Sequence, residues 1–163
     1  MSSFVINNLN AGSLQSITTT PGKTLLSWRA TTGATTLRRV WLTEVEWGAN
    51  DVPNATDCPI GLLIPKLTAD GTGSALVAQV TDQGGGDAVA LATYEANYTA
   101  EPTYTASTQV FAKSINQRAS DKQWWRDKAT CPISAAVNNQ GFGIRAYSPN
   151  YASTVVANAH VEE

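Results

Sequence analysis

The chain has 163 residues and a net charge of −2; 42% of its residues are hydrophobic and only 15% are charged, against about 25% charged in an average soluble domain. That length fits one domain, able to bury roughly 70% of its unfolded surface without a metal or disulfide staple. The near-neutral balance leaves no basic footprint for nucleic acid, and no apolar run approaches the about eighteen residues that span a bilayer. The opening Met1-Ser2-Ser3-Phe4-Val5-Ile6 lacks the charged n-region and long apolar core of a cleaved signal, so synthesis in the cytosol is the expectation. With so few charges, the polar surface must be built from Thr, Ser, Asn and Gln, a composition that suits extracellular or particle-bound β-proteins.

Residues 1–12 hold a short apolar patch, Phe4-Val5-Ile6, in a Ser/Asn setting, and read as an edge strand or as an arm reaching onto a neighbour. Residues 13–163 read as a single β-domain. Strands are predicted at Leu14–Thr19, Thr24–Arg29, Leu37–Trp47, Ile60–Leu67, Ser74–Val80, Thr108–Ser114, Gln123–Arg126, Phe142–Tyr147 and Thr154–Glu162. Gly/Asn-rich turn clusters separate them, as at Thr31–Thr35, Ala69–Gly73 and Asn138–Gly141. Eight or nine short strands with such punctuation predict an all-β, antiparallel sandwich or barrel. The long strand Leu37–Trp47 has apolar residues at both parities: Val40 and Leu42 alternate with Glu44 and Glu46, while Trp41, Val45 and Trp47 share the other side. Strict alternation therefore demands cover on both faces, from the core on one and a second copy on the other. One segment breaks the pattern. Asp87–Ala96 begins with a capping residue and is rich in Ala, so a short helix is predicted there. Asn97–Thr105 after it is expected to be an extended surface excursion.

Candidate chemistry is sparse. His160 is the only histidine, and with two cysteines it offers no zinc set. No Gly-x-Ser-x-Gly elbow accompanies it. Glu44 and Glu46 lie about 7 Å apart on one strand face, a glycosidase-like spacing but also that of any solvated strand. Gly84-Gly85-Gly86 lacks the residues of a phosphate loop and reads as a turn. Cys58-Pro59-Ile60 and Cys131-Pro132-Ile133 repeat a tripeptide whose Pro suits a strand start. Two buried free thiols are one reading; a disulfide, within the chain or between copies, is the other. Trp124 and Trp125 fall on opposite faces of any strand, one for the core and one for an interface anchor or a sugar-stacking platform.

The run Arg38-Arg39-Val40-Trp41-Leu42-Thr43-Glu44-Val45-Glu46-Trp47-Gly48, the Ala88–Ala96 insertion, the Tyr98-Thr99-Ala100-Glu101-Pro102 excursion and the closing Gly141–Tyr147 and Thr154–Glu163 hairpin resemble small virion proteins of tailed bacteriophages. The resemblance spans about Thr24 to Glu163 and is to head decoration or cement proteins with a jelly-roll fold, some of them like tumour necrosis factor. It implies a structural protein on the outer capsid surface, binding the major capsid protein lattice and itself as a homotrimer. It implies no cofactor, no catalytic residue, no nucleic acid and no membrane. Phe4, Val5, Ile6, Trp41, Trp47, Tyr98, Tyr104, Trp124 and Trp125 are the expected interface residues. A carbohydrate- or receptor-binding module is the alternative.

Overall fold

A computed structural model describes residues 2–17, 22–30, 38–81, 89–137 and 140–163. The first four strands are β1 (Ser3–Asn7), β2 (Lys23–Arg29), β3 (Val40–Ala49) and β4 (Pro59–Ile64). An insertion follows, carrying β5 (Lys66–Ala69), β6 (Thr72–Leu76), β7 (Gln79–Val80), β8 (Thr93–Ala100) and β9 (Thr103–Tyr104). The chain closes with β10 (Phe111–Asn116), β11 (Ser120–Trp124), β12 (Ile133–Ser134), β13 (Gly141–Tyr147) and β14 (Val155–Glu162).

Pairing reveals the architecture. Antiparallel pairs form between β1 and β14, β2 and β13, β3 and β11, and β4 and β10. These are four nested pairs of one long folded-back ribbon. Two further contacts, β14 with β3 and β13 with β4, roll that ribbon into two sheets. One sheet runs β11-β3-β14-β1-β7, the other β10-β4-β13-β2-β8-β6. Two antiparallel sheets rolled in this way are a jelly roll, and the predicted all-β sandwich holds.

The core is drawn from alternate residues of both inner faces. Phe4, Ile6, Val155, Ala157, Ala159 and Val161 come from the first sheet, and Leu26, Trp28, Ile60, Leu62, Phe142 and Ile144 from the second, all nearly or wholly buried. Trp28 packs on Phe142 with ring centroids 5.8 Å apart, and Phe111 bridges Trp47 (6.3 Å) and Trp125 (5.5 Å) edge-on. At one end of β14, Asp51 accepts hydrogen bonds from the Thr154 N–H (2.7 Å) and hydroxyl (3.1 Å) and from Ser153 (3.2 Å). The Thr154 N–H above all holds the Asp51 carboxyl below the ordinary value of 3.8. A carboxyl depressed in the folded state adds stability above its unfolded pKa and loses it as pH falls through the folded value. Wild type should therefore be more stable than Asp51→Ala at neutral pH, and urea curves should converge below pH 3.8. A gap that stays constant into acid would show that this bond is not the cause.

Several sequence expectations need correction. Of the two readings of the N-terminal segment, Ser3–Asn7 is the strand and not the arm: it is hydrogen-bonded between β14 and β7, with Phe4 and Ile6 pointing into the core. Of the strand predicted at Leu14–Thr19, the described residues 14–17 form only an isolated bridge, Ser16 to Thr154, and Thr18 and Thr19 lie outside the described residues. The predicted helix over Asp87–Ala96 is a strand from Thr93 onward, because Tyr94 and Ala96 point inward while Glu95 pairs outward across from Ser27. Asp87 and Ala88 lie outside the described residues, as do Gly84-Gly85-Gly86. The only helical turn among the described residues is a 3-10 turn, Asn8–Ala11. The insertion serves the domain itself, since β8 and β6 extend the second sheet and β7 extends the first.

The long strand β3 yields the main correction. Buried positions are Val40, Leu42, Val45 and Trp47, so both parities face the same core. Its partner β14 alternates without a break. Val161 pairs with Leu42 and His160 with Glu44, which leaves Thr43 unpaired as a β-bulge. One extra residue reverses the parity of everything after it. Thr43 is held there by its hydroxyl, which donates to the His160 carbonyl (3.1 Å), and by its own carbonyl, which accepts from the Trp125 N–H (3.0 Å). The strand thus needs no second copy to cover Val45 and Trp47.

Candidate functional site

The two outer sheet faces differ sharply. On the second sheet, the outward side chains of β2, β8 and β13 are polar and are covered by the chain itself. Arg29 pairs with Glu95 (3.2 Å) and with Asp70, and Lys23 pairs with Glu101 (3.0 Å). Tyr98 hydrogen-bonds Ser27 and Glu95 (3.1 Å to the latter), while Tyr104 meets the Thr24 hydroxyl at 2.8 Å. Arg145 lies 4.7 Å from the Tyr104 ring centroid. Glycine makes this layer fit: a side chain at Gly143 would collide with Tyr104, and one at Gly73 with Tyr98. Burial pushes both phenols far above their usual range, and burial likewise raises the Asp70 carboxyl above 3.8. Tyr98 and Tyr104 are therefore internal struts, and the expected surface excursion is folded flat.

The first sheet leaves its outer face open, and no described strand crosses it. Register sets three rows across β11, β3, β14 and β1. Trp124, Glu44, His160 and Val5 form the middle row; Lys122, Glu46, Asn158 and Asn7 lie on one side of it. Ile133 of β12, Trp41, Glu162 and Ser3 form the third row, about 7 Å along the strands from the middle one. The bulge at Thr43 creates this arrangement, because it turns Glu44 and Glu46 outward on the same face as Trp41.

Two carboxylates of this face, Glu44 and Glu162, are ion-paired. Glu44 accepts from Lys122 (2.9 Å) and sits 3.5 Å from His160 Nε2, while Lys128 reaches Glu162 at 2.5 Å. The bond to Glu44 raises the Lys122 ammonium above 10.5. Cations also cap both tryptophans: Arg126 stands 5.1 Å from the Trp124 ring centroid and Lys128 5.6 Å from that of Trp41. Trp124 is 58% exposed, so it presents a large ring oriented from one side by Arg126. Trp41, on the neighbouring strand β3, and Val5, three strands away on β1, are half-buried on the same face. An indole fixed by a cation, within a rim of paired charges, is suited to burying against a protein or sugar surface at low entropic cost.

The sequence-named interface residues therefore divide. Trp124, Trp41 and Val5 all lie on the open face, Val5 at the far end of the Trp124 row. Phe4, Ile6 and Trp47 are spent in the core, Trp125 packs on Phe111, and Tyr98 and Tyr104 lie in the closed polar layer. His160 joins the site without having been singled out for it, whereas Arg126 and Lys128, basic neighbours of the tryptophan pair in the sequence and expected to rim an exposed indole, stand over Trp124 and Trp41. Of the suggested carboxylate pair, Glu46 is exposed and Glu44 is engaged by Lys122 and His160.

Of the two readings of the cysteines, the structure has the buried free thiols: Cys58 and Cys131 are not bonded to each other. Cys58 precedes β4 in one sheet and Cys131 precedes β12 beside the other, so the strands are not neighbours. Burial raises the Cys131 thiol, which makes it a poor nucleophile. Among the described residues, no group of three or more His, Cys, Asp or Glu side chains gathers at metal-binding distance, and no helix is long and apolar enough to cross a membrane. No family model, curated protein or solved structure matches the chain.

Proposed function

We propose that this protein is a structural, non-catalytic assembly component of a virion. In this reading it is a decoration or cement protein of the tailed-bacteriophage type, made in the host cytoplasm and working as a homotrimer on the outer capsid surface. The observation that carries the reading is the asymmetry of the two outer faces: one is sealed by the chain's own insertion, while the other is an open sheet bearing Trp124, Trp41 and a rim of paired charges. A rigid sandwich with one adhesive face can bind a repeating lattice, where many modest identical contacts sum through multivalency. The Thr- and Asn-rich, low-charge composition and the resemblance in the β3 run point the same way.

The test is co-sedimentation with purified heads lacking the protein. Wild type should pellet with the heads, and Trp124→Ala and Trp41→Ala should each weaken binding by tenfold or more, about 1.4 kcal/mol. Protein that stays in the supernatant at saturating concentration, or a strict monomer by light scattering, counts against the reading. The exposed ring of Trp124 also favours a second reading, a carbohydrate- or receptor-binding module. A glycan array on which Trp124→Ala abolishes a wild-type signal would select it.

A further inference from the structure

A strand at the rim of a sheet carries backbone N–H and C=O groups with no partner, and proteins usually guard such rims with charged side chains. Among the described residues three rim strands have five residues or more. They are β6 and β10, at the two ends of the second sheet, and β11, at one end of the first. β10 carries Lys113, β11 carries Asp121 and Lys122, and Lys113 pairs with Asp121 at 2.6 Å. β6 has no such guard. From Gly71 to Thr81 the chain holds no charged residue. Ser74 and Ala75 are both exposed, and Val77, just beyond the strand, is 76% exposed.

On one side β6 is filled, since Ser74 pairs with Ala96, Ala75 with Glu95 and Leu76 with Tyr94 of β8. No described strand lies on its other side. An occupant of that side has to supply a strand edge of its own and to bring no charge against Val77. On a second copy of this chain the β10 and β11 edges fail that condition, and β6 meets it. We propose that β6 pairs antiparallel with β6 of a second copy, joining the second sheets of two molecules across a two-fold axis. Facing residues of an antiparallel pair point to the same side of the sheet, so the axis passes where one residue faces its own copy. Centred on Ala75, the pairing sets Ser74 opposite Leu76 and draws Val77 of each copy into the contact. This contact is separate from the Trp124 face and does not rest on the lattice reading; on a lattice it would join neighbouring trimers.

Cysteine crosslinking reads the contact directly. Facing Cβ atoms at the axis are about 5 Å apart, so Ala75→Cys brings two thiols within disulfide reach. Under a mild oxidant Ala75→Cys should run as a covalent dimer on a non-reducing gel, at least tenfold above wild type, whose two thiols are buried. It should exceed Ser114→Cys, at an exposed position on the β10 edge, by the same margin. Adding Val77→Lys to Ala75→Cys should cut the dimer at least tenfold. Adding Val52→Lys instead, at a valine 88% exposed outside β6, should leave it unchanged. Equal thermal unfolding of the two lysine variants confirms the fold. No dimer from Ala75→Cys, as much dimer from Ser114→Cys, or equal effects of Val77→Lys and Val52→Lys overturns the proposal. None of these outcomes bears on whether Trp124 is needed for capsid binding.

Discussion

Removal of Thr43 is expected to leave the protein folded, whereas removal of Val45, two residues further along the same central strand, should abolish folding. Without Thr43 the sequence of β3 becomes a regular alternation. Val40, Leu42, Val45 and Trp47 then all fall inward by simple parity, and the β14 partners Val161 and His160 already pair with Leu42 and Glu44 in consecutive register. The losses are the Thr43 carbonyl bond to the Trp125 N–H and its hydroxyl bond to the His160 carbonyl. At about 0.5–1.5 kcal/mol each, they total roughly 1–3 kcal/mol. Loss of Val45 instead brings Glu46 inward and turns Trp47 out, removing a fully buried indole and burying a carboxylate with no partner. That cost is comparable with the entire stability of a domain, about 5–15 kcal/mol. Circular dichroism, urea unfolding and resistance to protease separate the outcomes. If both deletions unfold the chain, the bulge is not the parity switch described here.

The same bulge shows what the sequence could disclose and what it could not. Strand positions, turn chemistry and the all-β class were legible, because period-two patterning and Gly/Asn punctuation are local signals. The direction of Val45 and Trp47 was not. A single unpaired residue shifts the apolar parity of its own strand, from Val40 and Leu42 to Val45 and Trp47, but that pattern reads equally as two covered faces, and the unbroken alternation of Val155, Ala157, Ala159 and Val161 in the partner decides for a bulge. The Thr93–Ala96 strand was obscured differently, by an Ala-rich composition that outweighed the inward Tyr94 and Ala96. Further on, Asn97 takes a positive φ of 50° at the point where Tyr98 leaves the core side for the polar layer over Gly73. The open face was the least legible part. Trp124, Glu44, His160 and Val5 come from four strands spread over nearly the whole chain, and only the sheet register aligns them.

The second large effect concerns Trp47. Trp47→Ala should destabilise the fold by about 3–5 kcal/mol, the usual range for a buried aromatic truncated to alanine. The indole is 1% exposed and lies edge-on to Phe111, which in turn meets Trp125, so its loss leaves a void and breaks an aromatic chain that closes the β10–β11 side of the sandwich. Trp47 Nε1 has no hydrogen-bond partner among the described residues. Its contribution is therefore packing volume, with an unpaired buried N–H working against it. Trp47→Phe should accordingly recover more than half of the alanine loss, because it retains an aromatic ring and removes the unpaired donor. Trp124→Ala provides the contrast: with its ring 58% exposed, it should shift unfolding by less than about 1 kcal/mol. Urea midpoints for the three variants decide the matter. A Trp124→Ala loss as large as that of Trp47→Ala would mean that the outer tryptophan stabilises the fold and is not held for a partner, and a Trp47→Phe loss equal to that of alanine would mean that its N–H carries a hydrogen bond.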